Sequence, residues 1–211
     1  MTTTKTGNKI TMEKCIAELH KAFDLLNKTY YNNELPTPMI TVYPTAKQNA
    51  FGWFTPAKLW TDENKETQLH EIALSAEYMN RSYIDVIGTL HHEMIHLYCH
   101  INGIKDTSRN GKYHNKNFKE ESEKRGFVYD YDTPDKRHGW SFNKKSEELI
   151  ETIKSFNLDE DAFKVARAIE KPNKRPQRRF SYECGCGTRI RGKAGLNITC
   201  NDCGMDFEMI Q

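Results

Sequence analysis

The sequence predicts an α+β domain followed by a small ribbon closed around a metal ion. Three observations carry that expectation. Apolar residues recur at helical spacing in two separated stretches, three short β-rich runs lie between them, and four cysteines gather in two close pairs near the end of the 211-residue chain. The opening residues are polar and contain no apolar signal segment, so 1–11 is expected to be disordered and the protein cytoplasmic. No run of about 18 apolar residues is present, so no membrane-spanning helix is expected.

Ile16, Leu19, Phe23, Leu26 and Tyr30 recur in steps of three and four, the period of a helix with one buried face, and Pro36 and Pro38 close that element. The runs 39–43, 50–55 and 68–75 are short and rich in strand formers, a small three-stranded sheet. Ile84, Ile87, Leu90, Met94, Leu97 and Ile101 then form a second helical stripe. Ser82 with Asp85 marks its start and Asn102-Gly103 its stop. A polar turn at 110–117 leads into a helical pattern through Phe118, Glu121 and Arg125 that Gly126 ends. Beyond Trp140, 146–156 and 159–169 read as two further helices. The organisation is a domain over 12–170, a basic linker at 171–180 and a ribbon at 181–211.

Five residues inside the second helical stretch carry the chemistry. In His92-Glu93-Met94-Ile95-His96 the two imidazoles stand at i and i+4, roughly 5–6 Å apart at Cβ, close enough to share one ion at about 2.0–2.1 Å. Glu93, beside the first of them, can reach a water at that ion without being a ligand, the position of a general base in a zinc hydrolase. A hydrolytic centre also needs a third protein ligand and an open position. His114 is the candidate, at the mouth of a helix able to fold back over the first. Glu120 or Glu121 would instead make a His/His/Glu set, and His100 lies one turn further but drifts off the His92–His96 line. Tyr113 and His138 are candidate donors to a tetrahedral oxyanion.

At these residues the chain resembles the SprT-like, or Spartan-type, zinc metalloproteases. The resemblance rests on Leu26-Asn27 with Tyr30, Gly52-Trp53-Phe54 with Trp60, Glu71-Ile72-Ala73-Leu74-Ser75, Thr89-Leu90-His91-His92-Glu93-Met94-Ile95-His96, and His114 with Phe118, in the family's order across 12–127. One departure follows the third histidine, where the family often shows His-Gly-x-x-Phe and this chain has His114-Asn115-Lys116-Asn117-Phe118. The resemblance implies a zincin-like fold and a catalytic Zn²⁺ on His92, His96 and His114, with Glu93 as the catalytic base. It further implies hydrolysis of proteins attached to DNA, and a sheet strand along the cleft that pairs with an extended peptide. Trp53 and Trp60 are candidate substrate contacts, the alternative being that they fill the core.

Of the six cysteines, Cys15 and Cys99 fall within helical patterns and read as buried thiols. Cys184 with Cys186, and Cys200 with Cys203, read as the two knuckles of a ribbon holding a structural Zn²⁺, thiolate coordination being favoured over disulfides in a reducing compartment. Members of the resembled family also end in such a ribbon. The chain has a formal net charge of +2, yet from Lys171 onward eight basic residues face four acidic ones. Lys174, Arg175, Arg178 and Arg179 in the linker, with Arg189, Arg191 and Lys193 in the ribbon, form a candidate phosphate-binding arm; the alternative is a solvated hinge. The resemblance implies DNA as the partner, contacted without sequence preference. A monomer acting on protein substrates away from membranes is the expectation. Two readings stay open beside it: a DNA-binding or regulatory zinc protein without proteolysis, and a peptidase without DNA dependence.

Overall fold

The computed structural model describes residues 11–44, 50–168 and 179–210. The chain divides into two compact units, Met1–Ile169 and Glu170–Gln211. In the first, α1 (Met12–Tyr30) begins where the Thr11 hydroxyl accepts the Lys14 N–H, and it buries Cys15, Leu19, Ala22, Phe23 and Leu26 in the core. Asn27 then turns the chain. Its buried carboxamide donates to the Leu35 carbonyl (3.0 Å) and accepts the Leu35 N–H (3.2 Å), while its backbone carbonyl accepts from Tyr31 and Asn33. One side chain thereby closes the corner between helix and sheet, which is the physical content of the Leu26-Asn27 motif.

The sheet has the order β1-β3-β2, with β1 (Met39–Tyr43) parallel and β2 (Gly52–Thr61) antiparallel to the central β3 (Gln68–Ser75). Ile72, Ala73 and Leu74 of β3 are fully buried. β2 runs further than the expected 50–55. Pairing breaks between Thr55 and Trp60, where Pro56 has no N–H to give, and resumes at Trp60 opposite Leu69, an irregularity that an edge strand tolerates.

Ser82 caps α2 (Tyr83–Ile101) by accepting the Asp85 N–H, and Gly103, at φ +66°, carries the chain out of it. Of the expected stripe, Ile87, Leu90, Met94 and Leu97 are buried, Ile84 is half-buried and Ile101 is exposed; His91, Glu93 and Ile95 are buried as well, because α1, the sheet and the later helices pack around α2 on several sides. A short hairpin of β4 (Thr107–Ser108) and β5 (Tyr113–His114) leads into α3 (Lys116–Glu123). A second pair, β6 (Phe127–Val128) with β7 (Lys144–Lys145), precedes α4 (Glu147–Ser155). Between α3 and α4 the chain turns at Gly126, φ +82°, where an added Cβ would lie 2.9 Å from that of Leu149.

The helix expected over 159–169 is not formed within the described residues. Only a 3₁₀ turn, Glu160–Phe163, is present. Tertiary bonding accounts for the difference. Ala162 and Phe163 are buried, after which the chain leaves helical geometry so that the Arg167 N–H donates to the Ala76 carbonyl (2.9 Å) and its guanidinium reaches Glu77 (3.2 Å).

In the second unit, β8 (Phe180–Glu183), β9 (Arg189–Gly192) and β10 (Glu208–Ile210) form an antiparallel sheet in the order β10-β8-β9. Its small core centres on Tyr182, whose buried hydroxyl donates to the Lys193 carbonyl (2.8 Å) and accepts the Leu196 N–H (3.3 Å). No described helix is long and apolar enough to cross a membrane.

Candidate metal centre

α2 brings His92 and His96 to one face, and the β5–α3 junction carries His114 over them. The Nε2 atoms of His92 and His114 are 3.1 Å apart, and those of His96 and His114 3.0 Å. A neutral imidazole carries a single N–H, and His96 directs its Nδ1 at the Asp106 carboxylate, Nδ1 to Oδ2 2.5 Å. Three ring nitrogens meeting at one point cannot all be satisfied by one another. Their spacing is instead close to the roughly 3.3 Å that bonds of about 2.0–2.1 Å to a common tetrahedral ion impose. These three residues can hold a metal ion. Burial, reinforced by the mutual repulsion of the imidazoles, holds the proton affinity of His92 well below the ordinary value and that of His114 down to about 3, so both stay neutral and ready to coordinate.

Phe118, fully buried, supports the triad: its ring centroid lies 4.7 Å from that of His92, 4.7 Å from His96 and 4.5 Å from His114. A backbone clasp fixes the third histidine. The His114 N–H donates to the His138 carbonyl (3.0 Å) and the His114 carbonyl accepts the Trp140 N–H (2.9 Å). Gly139 between them has φ +65°, and any Cβ there would fall 2.0 Å from the His114 carbonyl oxygen. The competing third ligands lie elsewhere. Glu121 pairs with Arg125 (2.6 Å) and Lys124 (2.6 Å), Glu120 with Lys116 (3.3 Å), and His100 packs on Phe54 and His70.

Glu93 is buried beside the triad, where burial lifts its carboxyl to about 7 against the opposing pull of His96 and a hydrogen bond from the Phe54 backbone. That contact explains Gly52-Trp53-Phe54. At Gly52 an added Cβ would meet the Ala73 carbonyl oxygen and Thr89 Cγ2 at 3.0 Å and Glu93 Cγ at 3.3 Å, so the missing side chain lets β2 lie against α2 at the glutamate. Strand alternation turns Trp53 to the other face, stacked on Tyr43 at 6.4 Å. Trp60 lines a shallow groove of about 220 Å³ with Met39, Thr61, Asp62, Thr67 and Leu69. Neither tryptophan is brought to the triad. Tyr113 lies beneath the Arg109 guanidinium (4.6 Å), and the exposed His138 borders His114, whose proton affinity its charge lowers.

Sequence reasoning missed Asp106, Asn143 and Gly139. The Asn143 carboxamide lies 3.4 Å from His92 Nδ1 and also bonds the Tyr129 hydroxyl. No periodicity or spacing marks such residues; only an acidic residue shortly after the helix stop could have drawn notice.

In the second unit the sulfurs of Cys184, Cys186, Cys200 and Cys203 lie within 4.8 Å of one another, and all six cysteines of the chain are free thiols. Cys186 Sγ stands 3.0 Å from that of Cys184 and 3.8 Å from that of Cys200; tetrahedral thiolates at about 2.3 Å from one ion would be about 3.8 Å apart. Hydrogen bonds from Cys184 and Thr188 draw the Cys186 thiol down to about 6, toward the ligating thiolate. Between the two cysteines of the first knuckle, Gly185 lies against the exposed Met205 side chain, whose Sδ would stand 2.3 Å from a Cβ added there. Of the proposed basic arm, Lys174, Arg175 and Arg178 lie outside the described residues. Arg179, Arg189, Arg191 and Lys193 are exposed, and Arg189 pairs with Glu183 (2.8 Å).

The family model described as the SprT-like family matches residues 19–138, a span that takes in Gly52, all three histidines, Glu93 and Phe118. A search of curated proteins and a search of solved structures each give no match. The matched span covers more than half of the chain and carries all three histidines and Glu93, and the chain belongs to the SprT-like family.

Proposed function

We propose that this protein is a zinc-dependent endopeptidase of zincin-like architecture, acting on proteins associated with or crosslinked to DNA. The observation that carries the reading is the convergence of three imidazole Nε2 atoms beside a buried glutamate whose proton affinity sits near neutrality. Zinc bound by His92, His96 and His114 would supply Lewis acidity toward a peptide carbonyl and lower the pKa of a water at the site. Glu93 removes the proton from the attacking water as its oxygen bonds the carbonyl carbon, and returns it to the amine as the C–N bond breaks; a carboxyl near 7 can do both at neutral pH. Among the described residues β2 pairs with no strand besides β3, and an extended substrate backbone would add along its other edge, binding through main-chain bonds with little preference for side chains.

The four cysteines would hold a second, structural zinc. The DNA part of the reading rests on the family resemblance and on Lys171, Lys174, Arg175 and Arg178, four cations without an acidic residue among them. One observation favours the narrower reading of a peptidase without DNA dependence. Over 179–210 the basic residues Arg179, Arg189, Arg191 and Lys193 are matched in number by Glu183, Asp202, Asp206 and Glu208. The test is zinc content and cleavage by wild type and Glu93→Gln, with and without single-stranded DNA. Two zinc per chain in both proteins, with DNA-stimulated cleavage in wild type alone, is the expected result. Cleavage by Glu93→Gln refutes the mechanism. DNA-independent cleavage that survives deletion of 171–211 refutes the DNA partnership only.

A further inference from the structure

We propose that Asp106 is the residue that positions His96 for metal binding, and that Asn115 and Asn117 clamp the loop bearing it. The inference rests on reading the histidine triad as a metal centre. Both partners of the Asp106–His96 contact are largely shielded, with 12% of the His96 side chain and 14% of the Asp106 side chain exposed. Donation of the Nδ1 proton to the carboxylate fixes the tautomer and leaves the Nε2 lone pair facing the other two histidines.

Asp106 sits on a loop just past Gly103, outside any helix, and by itself such a loop could not hold a carboxylate to a few tenths of an ångström. Three bonds from the entrance of α3 fix it. Asn115 Nδ2 and Asn117 Nδ2 both donate to the Lys105 carbonyl, at 2.7 and 2.8 Å, and the Asn115 backbone N–H donates to the Asp106 carbonyl at 2.9 Å. The Asn115 side-chain oxygen meanwhile caps α3, accepting from Asn117 N (2.8 Å) and Phe118 N (3.3 Å). One residue, between His114 at the end of β5 and the helix that carries Phe118, thus joins that junction to the loop that orients His96. The departure from His-Gly-x-x-Phe acquires a role here, since a glycine following His114 would offer neither the side-chain donor nor the cap.

The experiment is a chelator competition for zinc on the full-length protein, read at the triad with the cysteine site as internal reference. The variants are Asp106→Asn, Asp106→Ala, the pair Asn115→Ser with Asn117→Ala, and that pair combined with Asp106→Asn. Serine keeps the helix cap and removes the amide donor. The expected result is affinity about 10- to 100-fold weaker in Asp106→Ala, with Asp106→Asn in between because it keeps an acceptor without the charge. The asparagine pair should cost several-fold on the wild-type background and less than about twofold on Asp106→Asn, the non-additivity expected of residues acting through one another. A merely structural role would lower the unfolding temperature of the metal-free variants and leave the affinity of the folded fraction alone. Unchanged affinity in the Asp106 variants overturns the positioning role, and full additivity overturns the clamp. If neither Asp106 variant folds, the asparagine pair decides: unchanged affinity there overturns the proposal. A wild type that binds no zinc at the triad removes the metal-centre reading itself.

Discussion

Phe118 is the side chain on which the three histidines rest, and replacing it separates packing from the orientation of their rings. The ring is fully buried and touches all three histidine rings, at 4.7, 4.7 and 4.5 Å between centroids. Phe118→Ala removes about 150–250 Å² of buried aromatic surface, worth about 4–6 kcal/mol at about 25 cal/mol per Å², in line with the roughly 3–5 kcal/mol typical of such truncations. A second effect falls on the ligands. Three ring–ring contacts at about 0.5 kcal/mol each sum to about 1.5 kcal/mol of lost orientation, or about a tenfold loss of metal affinity. Phe118→Leu keeps most of the volume, costs about 1 kcal/mol of stability and still loses the ring contacts. Urea unfolding in chelator gives the first quantity, and zinc competition on the folded protein gives the second. A folded Phe118→Leu that binds zinc within twofold of wild type would refute the orienting role.

Gly52→Ala should lower turnover about tenfold or more with a small change in melting temperature, because the new methyl pushes on Glu93 Cγ and the Ala73 carbonyl; unchanged turnover would show that Glu93 is not placed by β2. Metal-free protein should lose stability in acid partly through His91, which burial holds at about 3 with both ring nitrogens lacking a hydrogen-bond partner. Its contribution is fully present above the unfolded value of about 6.5 and is lost as pH falls from there to about 3, at up to about 1.4 kcal/mol per pH unit. His91→Phe, set among Tyr30, Tyr31 and Phe127, should therefore flatten the stability–pH curve in that window, and an unaltered slope would count against it. Asn27→Ala strands the buried Leu35 N–H and carbonyl and should cost about 2–4 kcal/mol in denaturant unfolding. Cys186→Ser should remove one zinc per chain and abolish amide-exchange protection in β8–β10 while leaving that of α1 and α2 in place; retained protection would mean that the ribbon folds without its ion.

Much of this was legible in the chain itself. β1 and β3 stand out by composition, α2 is bounded by a serine cap and a glycine stop, and the His92/His96 spacing marks a shared face. What escaped notice depends on partners distant in sequence. β2 continues past Pro56 because its end pairs again at Leu69, and 164–168 leaves helical geometry to reach Ala76 and Glu77. Of the site, the spacing marks His92, Glu93 and His96, and His114 is favoured only by its place at a helix mouth. Asp106, Asn143 and Gly139 act through single bonds or through the absence of a side chain, and neither leaves a period to detect.

All three histidines, the carboxylate behind His96 and the ring beneath them lie between positions 92 and 118, on one uninterrupted run of chain. A metal ion joining His96 to His114 would cross-link the ends of the short loop that contains the β4–β5 hairpin. A covalent link around a loop of that size is worth about 3 kcal/mol through the freedom it denies the unfolded chain. Bound there, the ion would act as a clasp on this segment. Withdrawal of the ion would return conformational freedom first to this one segment, while α1 and the sheet, which supply no ligand, keep their packing.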